Sequence, residues 1–249
     1  MFRAAFGELR RTRDHFLRLS VDAWSGALDL IYPPHCLICE RDSASYLCGI
    51  CLEKIDIIKP PRCHRCGTPG EAYYCSECRE REFVFESNVS VGAYDGVLRE
   101  AIHKLKYGGC VVLAESLAEL MARCFPSSGL ANKVDIAVPI PVHRSRLLER
   151  GYNQSEELAC RFCARTGLPI ELTGLKKHRH TRHQVELSSE ARLSNLEGAF
   201  VVSGDSLFGK RVLLIDDVYT TGSTLNSAAD AIKRAGAAVV YAYTLARSL

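Results

Sequence analysis

Asp216 and Asp217 stand side by side directly after the apolar run Val212 to Ile215, and Thr220-Thr221-Gly222-Ser223-Thr224 follows three residues later. On an extended backbone neighbouring side chains diverge, so the two carboxylates can each accept a bond from one of two vicinal hydroxyls on a sugar ring. The Thr/Ser/Gly run lies immediately before a helical apolar pattern, Leu225, Ala228, Ala229, Ile232 and Ala235. Hydroxyls and free backbone N–H groups at a helix N-terminus form an anion site the size of a monophosphate. An ordinary helix cap needs one hydroxyl residue, whereas this loop has four around a glycine. No Gly-Lys-Ser/Thr follows the strand, which excludes a Walker nucleotide loop. The chemistry indicated is the holding of a sugar phosphate.

A second set of residues has metal-ligand spacing. Cys36/Cys39, Cys48/Cys51, Cys63/Cys66 and Cys75/Cys78 are four Cys-x-x-Cys knuckles, with eight residues between the knuckles of each half and eleven between the halves. Each knuckle presents two thiolates and two knuckles complete a tetrahedron, so eight sulfurs match two zinc ions. Sequential pairing, Cys36/39/48/51 and Cys63/66/75/78, needs only short hairpins and is the expected arrangement; an interleaved pairing has compatible spacing. An iron–sulfur cluster is the other metal reading, less suited to paired knuckles at hairpin distance. Four cysteines per ion leave no open position for water, so the sites are structural. They explain how a segment poor in large apolar side chains folds, since each ion can supply on the order of 10 kcal/mol. His35 and His64, beside ligand cysteines, are read as lying outside the ligand sets, and Cys110, Cys124, Cys160 and Cys163 as helix-packing or partly exposed thiols.

The elements that must carry these groups are legible in outline. Phe83 to Ala93 reads as a strand, Val97 to Lys106 as a helix closed by Tyr107-Gly108-Gly109, and Leu113 to Cys124 as a second helix ended by Phe125-Pro126. Asp135 to Pro141 reads as a strand leaving the sheet where prolines stop ladder bonding. A basic stretch with His143, Arg144, Arg146 and Arg150 follows, and a helix begins near Ser155. The strand from Arg211 to Ile215 is β-branched and apolar on both faces, as in a covered parallel sheet, whose carboxyl ends are where such sheets bind ligands. With 249 residues and 47% hydrophobic content the chain can bury one α/β core plus a small module. A net charge of +3 is too weak to argue for nucleic acid from the overall field. No run reaches the ~18 apolar residues of a membrane span. Residues 1–34 read as an amphipathic helical segment, because arginines and acids interrupt any secretory apolar core.

The Asp-Asp then Thr-Thr-Gly-Ser-Thr pattern closely resembles the phosphoribosyl diphosphate (PRPP) signature of type I phosphoribosyltransferases. That resemblance implies that Asp216 and Asp217 hold the ribose hydroxyls, and that Thr220, Thr221, Gly222, Ser223 and Thr224 hold the 5′-phosphate. It also implies that Pro141, Val142, His143 and Arg144 cup the pyrophosphate. The cationic segment from Lys176 to Asn195, with Arg179, then reads as a lid over the leaving group. Its three histidines, His178, His180 and His183, leave a metal tract or a nucleic-acid-facing patch as other readings.

Taken in order, the knuckles, Leu105-Lys106-Tyr107-x-Gly109, Val138-Pro-Ile-Pro141, Arg150-Gly-Tyr-Asn-Gln154, Thr181-x-x-Gln184-x-x-Leu187, Arg192-x-x-Asn195-x-x-Gly-Ala-Phe200 and Asp-Asp-Val-Tyr-Thr-Thr-Gly resemble the ComF family of bacterial competence-associated proteins over residues 30 to 247. Arg182 and His183 depart from it, standing where many relatives have prolines. The resemblance implies an α/β fold: a type I phosphoribosyltransferase domain with a Rossmann-like parallel sheet (83–249) behind a double zinc ribbon (35–80). It further implies two structural zinc ions, Mg²⁺ with PRPP, a cytoplasmic location, and transfer of ribosyl phosphate to an unknown acceptor in a DNA-uptake or DNA-utilisation context. Partners would be PRPP, single-stranded DNA and competence or DNA-translocation machinery. The alternative is a non-catalytic adaptor that handles single-stranded DNA and keeps the pocket to sense PRPP or a nucleotide.

Overall fold

The computed structural model describes residues 35–70, 73–178 and 198–249. The expected N-terminal amphipathic segment and most of the expected lid, including Arg179, Arg182 and His183, lie outside the described residues. The chain divides into two compact units, Met1–Gly49 and Ile50–Leu249. In the described part of the first, Glu40 N–H donates to the Cys36 carbonyl at 2.8 Å and Leu37 N–H to the Tyr46 carbonyl at 2.9 Å, which closes the first knuckle onto the return strand. Helix α1 (Gly49–Glu53) begins at the boundary.

The second unit opens with the other ribbon, whose short helix α2 (Ser76–Glu80) carries Cys78. It then builds a sheet of four parallel strands in the order β1-β6-β5-β2: β1 (Asn88–Ala93), β2 (Ile136–Pro139), β5 (Arg211–Tyr219) and β6 (Val239–Arg247). Val212 to Ile215 in β5 are fully buried, as expected of a strand paired on both sides and covered on both faces. Helices α3 (Gly96–Tyr107), α4 (Leu113–Cys124), α5 (Arg144–Arg150), α6 (Gln154–Thr166) and α7 (Ser223–Arg234) connect the strands. Leu98, Ala101, Ile102 and Leu105 of α3, and Leu225, Ala228, Ala229 and Ile232 of α7, repeat at three and four residues and turn one apolar face inward. A separate antiparallel pair, β3 (Leu175–Lys177) with β4 (Phe200–Val202), brackets the expected lid.

Two strand boundaries differ from the sequence reading. Strand β5 runs on through both aspartates to Tyr219, because β6 continues the ladder as far as Tyr219 opposite Arg247. The first strand begins at Asn88 and not Phe83. The chain bends at residues 84–86, and side chains satisfy much of the backbone there: Arg65 donates to the Phe83 and Phe85 carbonyls at 3.1 and 2.9 Å, and Asn226 accepts from Val84 N–H at 2.6 Å. The second ribbon is also not peripheral. Cys63, Cys66 and Cys75 share one buried cluster with Phe83, Phe85, Val212, Leu214, Leu225 and Ala228.

Candidate functional site

The carboxyl ends of β2 and β5 open onto a cavity of about 360 Å³, walled also by the end of α3, by α5 and α6, and by Lys177 of β3. Asp216 and Asp217 lie at its floor. The Ser155 hydroxyl donates to Asp216 Oδ1 at 2.8 Å, and the Asp217 N–H donates to the same oxygen at 2.9 Å. Lys106 Nζ is 2.9 Å from Asp217 Oδ1. Asp217 Oδ2 is buried with no hydrogen-bond partner among the described residues. A buried carboxylate oxygen without a donor costs a few kcal/mol, so this atom is the place for a ligand hydroxyl or a cation.

The electrostatics follow from this crowding. Burial first, and the Asp217 charge second, push the Asp216 carboxyl up to about 7, while the Ser155 hydroxyl and Lys106 pull the other way. Burial pulls the Lys106 ammonium down, yet Asp217, and more weakly Asp216, outweigh it and hold the group above its ordinary value. Four cations, Lys106, Arg146, Arg150 and Lys177, line the cavity against the two carboxylates. The excess of positive charge beside an acidic floor suits a ligand with an anionic end and a hydroxylated middle.

Local chemistry explains the walls. Gly151 takes φ 83° to end α5, Asn153 accepts from Ser155 N–H at 3.1 Å to begin α6, and Asn153 Nδ2 donates to the Ile140 carbonyl at 3.1 Å. Tyr152 donates its hydroxyl to the Leu105 carbonyl, pinning the end of α3 where Lys106 projects. Arg150 lies over the Tyr107 ring at 4.8 Å and donates to Gln154 at 2.9 Å. The stretch Arg150 to Gln154 is thus a clamp that joins three elements behind the cavity.

Of the residues expected from sequence, Asp216, Asp217, Thr220, Thr224, Pro141, Val142 and His143 line the cavity. Thr221 and Ser223 are turned toward each other, with their hydroxyl oxygens 2.8 Å apart, and Gly222 makes the turn between them at φ 74°. A Cβ on Gly222 would collide with the Tyr219 ring. Arg144 is exposed and outside the cavity wall, and Arg146 takes the expected place. His143 caps α5 by accepting from Ser145 N–H, and the helical pitch then turns Arg146 and Arg150, four residues apart, to the cavity side. The sequence pattern assigns no role to Lys106, Ser155 or Tyr94, whereas Lys177 belongs to the cationic segment read as a lid and does reach the cavity. Lys106 did stand inside a quoted motif, Leu105-Lys106-Tyr107-x-Gly109, and that was the available signal.

The cysteines gather as Cys36/39/48/51 and Cys63/66/75/78, with the sulfurs of each set within 4.8 Å of one another. Cys39 and Cys48 sulfurs are 3.6 Å apart, and Cys66 and Cys75 sulfurs 3.7 Å. The edge of a tetrahedron with Zn–S bonds of ~2.3 Å is about 3.8 Å, so both sets have the size and donor type for zinc. Cys48 N–H reaches Cys36 Sγ and Cys75 N–H reaches Cys63 Sγ, each at 3.4 Å. Burial pushes the Cys36 thiol up, but backbone N–H groups from Cys48, Cys39 and Ile38 bring it down to about 6, favouring the thiolate a metal needs.

Comparison with known proteins finds two domain families in the chain. Residues 27–81 match the double zinc ribbon domain and residues 109–249 the phosphoribosyl transferase domain. The chain is 29% identical to competence protein F of Haemophilus influenzae over 68% of its own length and 76% of that protein's. It is 34% identical to the DNA utilization protein YhgH of Salmonella typhimurium (65% and 72%) and 30% identical to competence protein ComFC of Bacillus subtilis (66% and 66%). Among solved structures, glutamine PRPP amidotransferase from B. subtilis is 22% identical with a TM-score of 0.38, covering 53% of this chain and 26% of that one. Among the described residues no helix is long and apolar enough to cross a membrane. With both domain models in this order and relatives of this identity, the chain belongs to the ComF family, a double zinc ribbon followed by a phosphoribosyltransferase domain.

Proposed function

We propose that the protein binds PRPP with Mg²⁺ in this cavity and transfers its ribosyl phosphate to an acceptor. The observation that carries the reading is Asp217 Oδ2, buried and without a hydrogen-bond partner among the described residues, on a carboxylate that lines the same cavity as Lys106, Thr220 and Thr224. On this reading Asp216 and Asp217 accept from the two ribose hydroxyls, and the loop at the N-terminus of α7 holds the 5′-phosphate. Asp217 and the diphosphate oxygens would hold Mg²⁺, which when bound neutralises charge on the leaving group. Lys106, Arg146, Arg150 and Lys177 face the pyrophosphate. The C1–O bond breaks with its electron pair going to pyrophosphate, positive charge develops on C1, and the acceptor forms the new bond to C1 and loses a proton. Stabilising the departing charge in a water-poor site is the main task, and none of these residues has to act as a nucleophile.

The names of relatives, competence protein F and DNA utilization protein YhgH, support a DNA-uptake or DNA-utilisation context for this proposed chemistry. A second reading, an adaptor for single-stranded DNA, is favoured by one observation. His64, Tyr73 and Tyr74 cluster on the second ribbon, with Tyr73–Tyr74 centroids at 4.5 Å, His64 stacked on Tyr73 at 5.8 Å and Arg65 5.9 Å from the Tyr74 ring. Exposed aromatics beside cations are how proteins stack unpaired bases. Pyrophosphate release from PRPP, measured with a panel of nucleobases and with single-stranded DNA, separates the two. Release that depends on an acceptor and is lost in Asp216→Asn supports the transferase. PRPP binding without release under any acceptor, together with salt-sensitive DNA binding lost in Tyr73→Ala, supports the adaptor.

A further inference from the structure

The phosphate loop does not keep its shape unaided. Arg81 caps α2 three residues after Cys78, and its two terminal nitrogens donate to the Thr221 carbonyl at 3.0 Å and to the Ser223 hydroxyl at 3.3 Å. The Glu77 carboxylate at 3.1 Å and the Phe83 ring at 4.8 Å fix the guanidinium from the ribbon side. A second arginine completes the tie. Arg247, buried at the end of β6, donates to the Cys66 carbonyl at 2.7 Å and the Thr68 hydroxyl at 2.6 Å, and lies 4.5 Å over the Tyr219 ring. Tyr219 is the ring against which Gly222 turns. Both sides of the loop are thus joined to residues within three positions of a ligand cysteine in the second ribbon.

Helix α2 has five residues, too short to persist without an external clamp. In the zinc-loaded ribbon that clamp is the pair Cys75 and Cys78, and Arg81 inherits its position from it. The rigid, planar fork of a guanidinium transmits such a position better than a lysine would. Arg81 does not line the cavity, so it acts on the loop from behind and not on the ligand. Resting on the sugar-phosphate reading above, we infer that Arg81 and Arg247 are positioning residues through which zinc at Cys63, Cys66, Cys75 and Cys78 sets the shape of the Thr220–Thr224 loop, and with it the affinity for a 5′-phosphate. The second ribbon is then a control element of the site, and loss of its metal or oxidation of its thiolates would switch the site off.

The test reads the loop directly. Amide hydrogen exchange of residues 219–226 is followed in the zinc-loaded full chain without ligand, for wild type, Arg81→Ala and Arg81→Lys, with metal content and ribose 5-phosphate affinity measured alongside. Arg81→Ala is expected to keep both ions and its overall melting behaviour, to speed exchange in the loop about tenfold and to weaken ribose 5-phosphate about tenfold, losing two bonds from a charged donor. Arg81→Lys should fall between, since one ammonium cannot reproduce the fork. Partial chelation that removes the second ion should speed the same amides. If loop exchange is unchanged in Arg81→Ala and in the chelated protein, the coupling is wrong whatever the affinity does. If exchange responds but wild type does not bind ribose 5-phosphate, the coupling stands and the ligand reading fails.

Discussion

Lys106→Met removes the cation that faces Asp217 while keeping most of the apolar stem. The pair is 2.9 Å apart with side chains 18% and 5% exposed, so it is largely but not wholly withdrawn from water. Stranding one member of a fully buried pair costs about 3–5 kcal/mol; the opening on the cavity lowers this to roughly 2–3 kcal/mol here. At about 2–4 °C per kcal/mol for a domain of this size, thermal unfolding should begin some 5–10 °C lower. Lys106 is also one of the groups that pull the Asp216 carboxyl down, so in the variant Asp216 should titrate higher than about 7. The destabilisation should therefore shrink as pH falls and Asp216 takes up its proton. Adding Asp217→Asn should restore most of the lost stability, because the stranded charge is gone, but should not restore PRPP binding. Melting curves and titrations on the four members of this cycle give the coupling energy. A single variant that melts with wild type, or a double variant no more stable than the single, would refute the assignment of a coupled, buried pair at the floor of the cavity.

Asp216 makes binding pH-dependent in a stated direction. Its folded value of about 7 lies above the ordinary carboxyl, so the folded chain holds the extra proton between roughly pH 4 and pH 7, and this group's contribution to stability falls as pH rises through that window. A ribose hydroxyl donates best to the ionised form, so PRPP affinity should fall as pH drops below about 7 and binding near neutrality should release a proton, visible as a buffer-dependent heat; equal heats in buffers of different ionisation enthalpy would contradict this. Gly222→Ala, forced to φ 74° against the Tyr219 ring, should leave the sheet intact and weaken ribose 5-phosphate by about tenfold or more, checked by titration and by circular dichroism. Chelating both ions should loosen the α/β unit as well as the ribbons, since Cys63, Cys66 and Cys75 share its core; near-ultraviolet dichroism unchanged by chelation would show that the ribbon is separable.

How much of this was legible in the sequence depended on whether the relevant partners were neighbours along the chain. Helix α4 has the bounds its apolar spacing and Phe125-Pro126 stop signal predict, because both are local. Asp216, Asp217 and the Thr220–Thr224 loop are contiguous, and a strand end followed by a helix N-terminus needs no other information. Lys106, Ser155 and Lys177 reach the same cavity from three distant elements, and only the tertiary fold brings them together. Charge was a misleading stop signal at Ile215: the aspartates stay in the ladder because β6 is long enough to pair with them. At Phe83 the opposite occurred, where an apolar, strand-like run is bent because Arg65 and Asn226 supply the bonds a neighbouring strand would have made. The entanglement of the second ribbon with the sheet was also hidden, since knuckle spacing specifies a metal site but not what the site packs against.

We propose that the Asp216–Asp217 floor and the Thr220–Thr224 loop form one PRPP site. Calorimetric titration of PRPP with Mg²⁺ into the zinc-loaded wild type and into Asp216→Asn/Asp217→Asn tests it most directly. One site per chain is expected in wild type, and no measurable binding in a variant that keeps its zinc and its melting transition. Undiminished affinity in that variant, or no binding to wild type at all, would contradict it.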